Sequence, residues 1–242
     1  MNIKKEKDFL VINNKFSKIA FSTAENGRNF NRHTQNGLDE LERLKNEFNV
    51  KKVVFLNQVH SDKVVSYNSI SDDSIREVQG DALITELNDI AIGVFTADCV
   101  PVILVDEKKH IAVAIHSGWK GTYNSITLNT VNKLKNEYKS NPEDIKAYIG
   151  PHIRKCCYEV SEELKEKFLK KKNISENSLF DGRNLNMSAC ITSDLSDAGI
   201  KKENINDLKL CTYCSEDIKL HSYRKSNGDY GRQFSFIIMR QV

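Results

Sequence analysis

Apolar residues along this chain fall into short runs separated by polar stretches, and the runs predict the secondary structure. Val53 to Leu56 is β-branched and aromatic and predicts a strand running into the polar stretch Asn57-Gln58-Val59-His60. Ala91 to Phe95 predicts another, ending at Thr96-Ala97-Asp98-Cys99. Val102 to Val105 and Ile111 to Ile115 predict two more, joined by Asp106-Glu107-Lys108-Lys109 as a hairpin loop. Pro101 has no N–H for a ladder, which assigns the first of this pair to a sheet edge or a bulge. Phe234 to Met239 predicts a last strand.

Helical spacing appears between these runs. Ile126, Val131, Leu134 and Tyr138 form one stripe, stopped by Asn141-Pro142. Val160, Leu164 and Phe168 form a second, and Leu185 to Ala198 a third, with Gly199 as its C-terminal cap. An earlier helix carries Leu38, Leu41 and Phe48. Helices and strands mix without strict βαβ alternation, so the pattern reads as an α+β domain with mixed or antiparallel sheets.

Composition narrows the function classes. A chain of 242 residues can bury a sizeable core, and its sparse Gly and Pro argue against disorder and loop-rich scaffolds. The net charge of +3 is spread along the chain with no basic block, which argues against a nucleic-acid partner. Lys170-Lys171-Lys172 reads as a solvated helix end. The N-terminal stretch shows no signal-peptide pattern and no apolar run reaches membrane length, so a cytoplasmic protein without a membrane partner is expected. In a reducing compartment the six cysteines would be core thiols, ligands or nucleophiles rather than a disulfide framework.

Three strand-like runs end in residues able to bind a borderline metal: His60, Cys99 and His116. With the hairpin loop placed at Asp106 to Lys109, Val105 faces His110. Carried outward, that ladder sets Cys99 directly opposite His116, with Cβ atoms about 5 Å apart. Two histidines and one cysteine make a zinc set with a position left for water or substrate, the pattern of a catalytic site; copper can use similar ligands. The plainer reading is a core thiol and two ordinary histidines. Gly118-Trp119-Lys120-Gly121-Thr122 opens a helix after a strand, where free N–H groups and the Lys120 cation would suit an anion such as phosphate. A tight strand-to-helix turn explains the same residues. Cys156 and Cys157 are expected to pack beneath a sheet, Cys211-x-x-Cys214 is a weak redox candidate, and His152 could approach the site from its Gly-Pro turn. His33, His110 and His221 read as surface or satisfied core residues.

Taken in order, NQVHSDKV (57–64), GDALIT (80–85), TADCVPVIL (96–104), HSGWKGT (116–122), IGPHIRKCCYEV (149–160) and CTYC with HSYR and GR (211–232) resemble the bacterial YfiH-like group, also called the polyphenol oxidase or laccase-domain group. The resemblance implies one catalytic domain over residues 1–242, a mixed β-sandwich with flanking helices similar to the cytotoxic-necrotizing-factor fold, and a zinc site at His60, Cys99 and His116. It also implies phosphorolysis of a small-molecule substrate, a purine nucleoside (adenosine, inosine, guanosine or methylthioadenosine), with phosphate, and adenosine deamination as a second activity. Phosphate would sit near Lys120, with Arg224 or Arg232, and Asp98 is the candidate proton donor, with a structural carboxylate as its alternative. Family members usually carry Arg where Lys120 stands, and their N-terminal pattern is replaced here by FSTAENGRNF (21–30). The alternatives are a cysteine hydrolase using Cys99 and His116, a copper-dependent polyphenol oxidase, and a non-catalytic purine-binding protein; a monomer or homodimer is expected. Multicopper oxidases need His-x-His pairs, which are absent, and the cytidine-deaminase zinc pattern is not met.

Overall fold

The computed structural model describes residues 2–227 and 230–241. The chain opens with an antiparallel meander, β1 (Lys4–Glu6), β2 (Phe9–Asn13) and β3 (Ser17–Ser22). Helix α1 (Gln35–Glu47) follows, N-capped by Thr34, whose side chain accepts from the Gly37 N–H. Next come β4 (Lys52–Val54), β5 (Val64–Ser66), β6 (Ala82–Thr85), β7 (Ile90–Thr96), β8 (Val100–Asp106) and β9 (Ile111–Ser117). Helices α2 (Trp119–Tyr123) and α3 (Ile126–Glu137) lead to β10 (Lys146–Ile149), α4 (Glu162–Lys171) and α5 (Glu176–Leu179). The short pair β11 (Phe180–Asp181) and β12 (Asn184–Leu185) precedes α6 (Met187–Asp197), β13 (Ile205–Asp207), α7 (Tyr223–Ser226) and β14 (Gln233–Met239).

Two six-stranded sheets result, ordered β1-β2-β3-β14-β7-β4 and β13-β10-β8-β9-β6-β5. Both are mixed: β4 runs parallel to β7, β5 to β6 and β13 to β10, while the other pairs are antiparallel. The sheets share a core that takes Phe21, Ile92 and Ile237 from the first and Leu83, Ile103 and Ala114 from the second. The outer face of the first is covered by α1 through Leu41, Leu44 and Phe48. The outer face of the second is covered by α3 and α6 through Val131, Leu134, Ile191 and Leu195. This is an α+β fold, a mixed β-sandwich with flanking helices. Strands β7, β8, β9 and β14 are buried at every position, which is why they read as continuous apolar runs rather than alternating ones.

Several details differ from the sequence reading. The hairpin turn spans residues 107–110, one residue later than expected, because Asp106 is a strand residue whose Oδ1 accepts from the N–H groups of Lys108 and Lys109. The register therefore sets Pro101 opposite His116, so Cys99 lies two residues farther out and diagonal to it. Pro101 is not on an edge: β8 lies between β10 and β9. Its carbonyl accepts from Gly150, the residue after the end of β10, so the missing N–H falls where no ladder partner is required. Leu38 faces solvent, and Leu44 takes its place in the α1 stripe.

Candidate metal centre and active site

His60, Cys99 and His116 come together at one end of the sandwich. Their ligating atoms all lie within 4.8 Å of one another, and Cys99 Sγ is 3.9 Å from His60 Nε2. A tetrahedral zinc with ordinary Zn–S and Zn–N bonds separates such atoms by about 3.5 Å, so a small contraction closes the set. His116 Nδ1 lies 2.8 Å from Asp81 Oδ1, which leaves Nε2 facing the other two ligands. An imidazole oriented by a carboxylate in this way is the usual support of a metal-binding histidine.

Asp81 organises the whole centre. It is fully buried, and its oxygens accept from the backbone N–H groups of Val59, His60 and Ser61 and from the Ser61 hydroxyl. This grip holds His60 in the left-handed region, at φ 58°. Gln58 clips the same loop to β7, its side-chain amide exchanging two hydrogen bonds with the Phe95 backbone. A side chain thereby supplies the ladder partner that the irregular loop lacks. Gly118 is required for space: a Cβ there would lie 3.0 Å from Cys99 Sγ and 3.0 Å from His60 Cδ2.

Asp98 adopts φ 82°, a turn that aims Cys99 at the histidines. Its backbone carbonyl accepts from Ile153, and its two carboxylate oxygens accept from Thr212 Oγ1 at 2.6 Å and the Arg224 N–H at 2.7 Å. With both oxygens engaged, Asp98 braces the turn that presents Cys99.

The electrostatics pair the ligands. Burial works against charge on Cys99, but His116 and His60 overcome it and hold the thiol at about 6. Burial also works against charge on His116, and the Cys99 thiolate and Asp81 carboxylate overcome it, raising the imidazolium to about 9. Cys99 thus favours the thiolate above pH of about 6, and His116 keeps its proton up to about 9. Alkylation of Cys99 in the metal-free protein, followed by peptide mass spectrometry, should rise with a midpoint near pH 6 rather than the ordinary ~8.5. A midpoint at the ordinary thiol value would rule out the pairing. The linked stability has a matching window. The Cys99 contribution is lost as pH falls through about 6, and the His116 contribution is lost as pH rises through about 9.

His60, Cys99 and His116 line a cavity of about 610 Å³, within the usual range for a small-molecule site. Aromatic residues Phe95, Trp119, Tyr158, Tyr223 and Tyr230 line it, together with Arg32, Arg224 and Arg232. Among the described residues, none of these three arginines lies within ion-pair distance of a carboxylate. Arg32 and Arg232 are each destabilised as cations first by burial, and Arg32 also by Arg232 itself. Segments 29–32 and 230–232 form one wall, since Phe30 N–H donates to the Arg232 carbonyl and Arg232 N–H to Asn29 Oδ1.

Lys120 does not join them. It is exposed, lies outside the cavity lining, and its ammonium rests 5.6 Å from the Trp119 ring. The exposed first turn of α2 turns it outward, and the cations that line the cavity are Arg32, Arg224 and Arg232. Arg32 and Asp81 were not singled out in the sequence, although Asp81 lies in GDALIT and Arg32 just after FSTAENGRNF. His33 also lines the cavity. His152 stays in the core: its Nδ1 meets the Gly150 carbonyl, and burial lowers it to about 4.

Comparison with known proteins follows the same lines. The family described as multi-copper polyphenol oxidoreductase laccase matches residues 11–240. The purine nucleoside phosphorylase of Clostridium acetobutylicum is 43% identical over 246 residues, covering 99% of this chain and 100% of that protein. The adenosine deaminase RL5 of an unknown prokaryotic organism is 34% identical over 162 residues, 65% of this chain and 61% of its own length. The crystal structure of the Bacillus licheniformis hypothetical protein YfiH superposes with a TM-score of 0.89 at 25% identity, covering 98% of this chain and 99% of that one.

Proposed function

This chain belongs to the multi-copper polyphenol oxidoreductase laccase family, and on that footing we propose that it is a zinc-dependent purine nucleoside phosphorylase, working as one catalytic domain over residues 1–242. The carrying observation is that one cavity joins the His60, Cys99 and His116 ligand set to Arg32, Arg224 and Arg232. Zinc held by those ligands supplies Lewis acidity at an open coordination position. Adenosine, inosine, guanosine and methylthioadenosine are the proposed nucleosides, and the named relatives support purine chemistry.

The chain's own residues do the rest. Arg32 and Arg232 hold phosphate as a pair of planar donors, with Arg224 at the α7 side. Their mutual repulsion falls when an anion sits between them. The aromatic lining packs on the purine and excludes water, so phosphate rather than water meets the sugar C1′. Asp98 keeps Cys99 in place through its bonds to Thr212 and Arg224.

The test is release of free base from inosine or adenosine with and without phosphate, with sugar 1-phosphate and ammonia followed alongside. Base release at the same rate without phosphate would replace phosphorolysis by hydrolysis. Ammonia release would add deamination. Arg32→Ala or Arg232→Ala should each raise the KM for phosphate about 10- to 100-fold, the loss of a charge-assisted hydrogen bond, while nucleoside KM moves little. Steady-state kinetics with phosphate varied reads this, and an unchanged phosphate KM in both variants removes the arginine wall from the proposal.

A second reading rests on the thiolate–imidazolium pair. Cys99, His116 and Asp81 also form the nucleophile, base and orienting carboxylate of a cysteine hydrolase. Such an enzyme keeps its activity after chelation and loses it to a thiol alkylator. The zinc enzyme loses its activity to chelation.

A further inference from the structure

A second cluster lies apart from the three cavity ligands. Cys156, Cys157, Cys211 and Cys214 bring their sulfur atoms within 4.8 Å of one another, and Cys156 Sγ is 3.6 Å from Cys214 Sγ. All four are free thiols. The sequence reading placed the first two beneath a sheet. Instead Cys156 is exposed, Cys157 half-buried, Cys211 buried and Cys214 exposed. The reason is local: residues 155–157 form a turn closed by the Cys157 and Tyr158 N–H groups on the Arg154 carbonyl, which swings both thiols toward the turn at Cys211.

We propose that these four cysteines form a closed, structural zinc site that clamps two walls of the cavity together. Three observations carry it. The 3.6 Å sulfur separation is close to the edge of a zinc tetrathiolate, about 3.75 Å for Zn–S bonds of about 2.3 Å, and is far longer than a disulfide bond. Cys211-x-x-Cys214 is the spacing of a zinc-binding turn. It is held as one, with Ser215 N–H donating to the Cys211 carbonyl and Cys211 N–H to Ser215 Oγ. The two turns are already tied without the metal. His152 N–H donates to the Leu210 carbonyl and Thr212 N–H to the His152 carbonyl, so the four sulfurs are presented by a preformed scaffold.

Zinc entry would replace the thiol protons, each S–H bond giving way to an S–Zn bond and its proton passing to solvent.

The consequence reaches the cavity. One turn leads into Tyr158, which lines it, and the other carries Thr212, which hydrogen-bonds Asp98 beside Cys99. The clamp therefore holds in place, from outside, the segment that carries Tyr158 and the Thr212 support of Asp98. It does not depend on the phosphorylase reading, since its test never measures turnover.

The experiment uses the full-length protein, purified reduced and without chelator. Zinc is counted by mass spectrometry, and cobalt(II) is titrated as a spectroscopic substitute. The wild type should bind one more zinc per chain than Cys156→Ser/Cys214→Ser. The variant His60→Ala/His116→Ala should retain the extra ion and give, with cobalt, the strong thiolate charge-transfer and d–d bands of a tetrathiolate. Both cysteines changed are exposed, and circular dichroism checks that each variant folds. Loss of all zinc from the histidine variant while it remains folded overturns the proposal. So does an intact Cys156–Cys214 disulfide in the purified wild type, seen as the loss of two hydrogens by mass.

Discussion

Alanine at His116 is expected to remove the metal and to lower kcat/KM by at least about 10³-fold, as loss of a Lewis acid worth several kcal/mol requires. Cys99→Ala should match it. The size of the effect follows from the ligand count. Three protein ligands are the minimum of a catalytic zinc site, and two of them cannot hold the ion against solvent. His116 is 3% exposed, so alanine also leaves a small cavity and an Asp81 oxygen short of a partner. The remaining donors to Asp81, from Val59, His60 and Ser61, limit that cost. Zinc content and melting temperature should be read together. A variant that melts near the wild type yet carries no zinc at this site assigns the loss to ligation. Full zinc retention takes His116 out of the ligand set.

The second large effect belongs to Asp81→Asn, a change of one atom. The carboxylate accepts on both oxygens, from two directions. An amide offers one acceptor and turns its NH2 toward either the His60 N–H or the Ser61 N–H, where donor meets donor. The loop carrying His60 loosens, and His116 loses the charge that orients it. Metal affinity should fall about 10- to 100-fold, the usual cost of losing such a supporting carboxylate. Competition with a chelator of known affinity measures it. Activity should recover substantially at saturating zinc, which separates this residue from a ligand. Unchanged affinity would make Asp81 a purely structural acid.

The helices and main strands were legible because their apolar patterns are strong, and the grouping of His60, Cys99 and His116 was legible because each follows or ends a strand run. The hairpin arithmetic failed by one residue. Asp106 looks like a loop residue in sequence, but its carboxylate caps the turn from within the strand. The opening meander was missed for a related reason. Phe9–Asn13 pairs locally with Ser17–Ser22, but Ser17–Ser22 joins the sheet through the distant β14, and local sequence does not contain that pairing. Asp81 and Arg32 carry no spacing signal, since each meets its partners only across the fold. Cys156-Cys157 and Cys211-x-x-Cys214 were visible separately, and only the bridge between His152 and Cys211 brings them together.

The two ends of the cavity stand on different sheets. His116 belongs to β9 and Cys99 leads into β8, whereas Arg232 leads into β14 and is tied to the segment that carries Arg32. The separation between the His60, Cys99 and His116 cluster and the arginine wall is therefore a property of the sandwich interior, where Phe21 and Ile92 meet Ile103 and Ala114. Those side chains act as a spacer. Trimming or enlarging one of them would change how far apart the two clusters are held without touching either, so the spacing on which the proposed reaction depends can be tuned from the core.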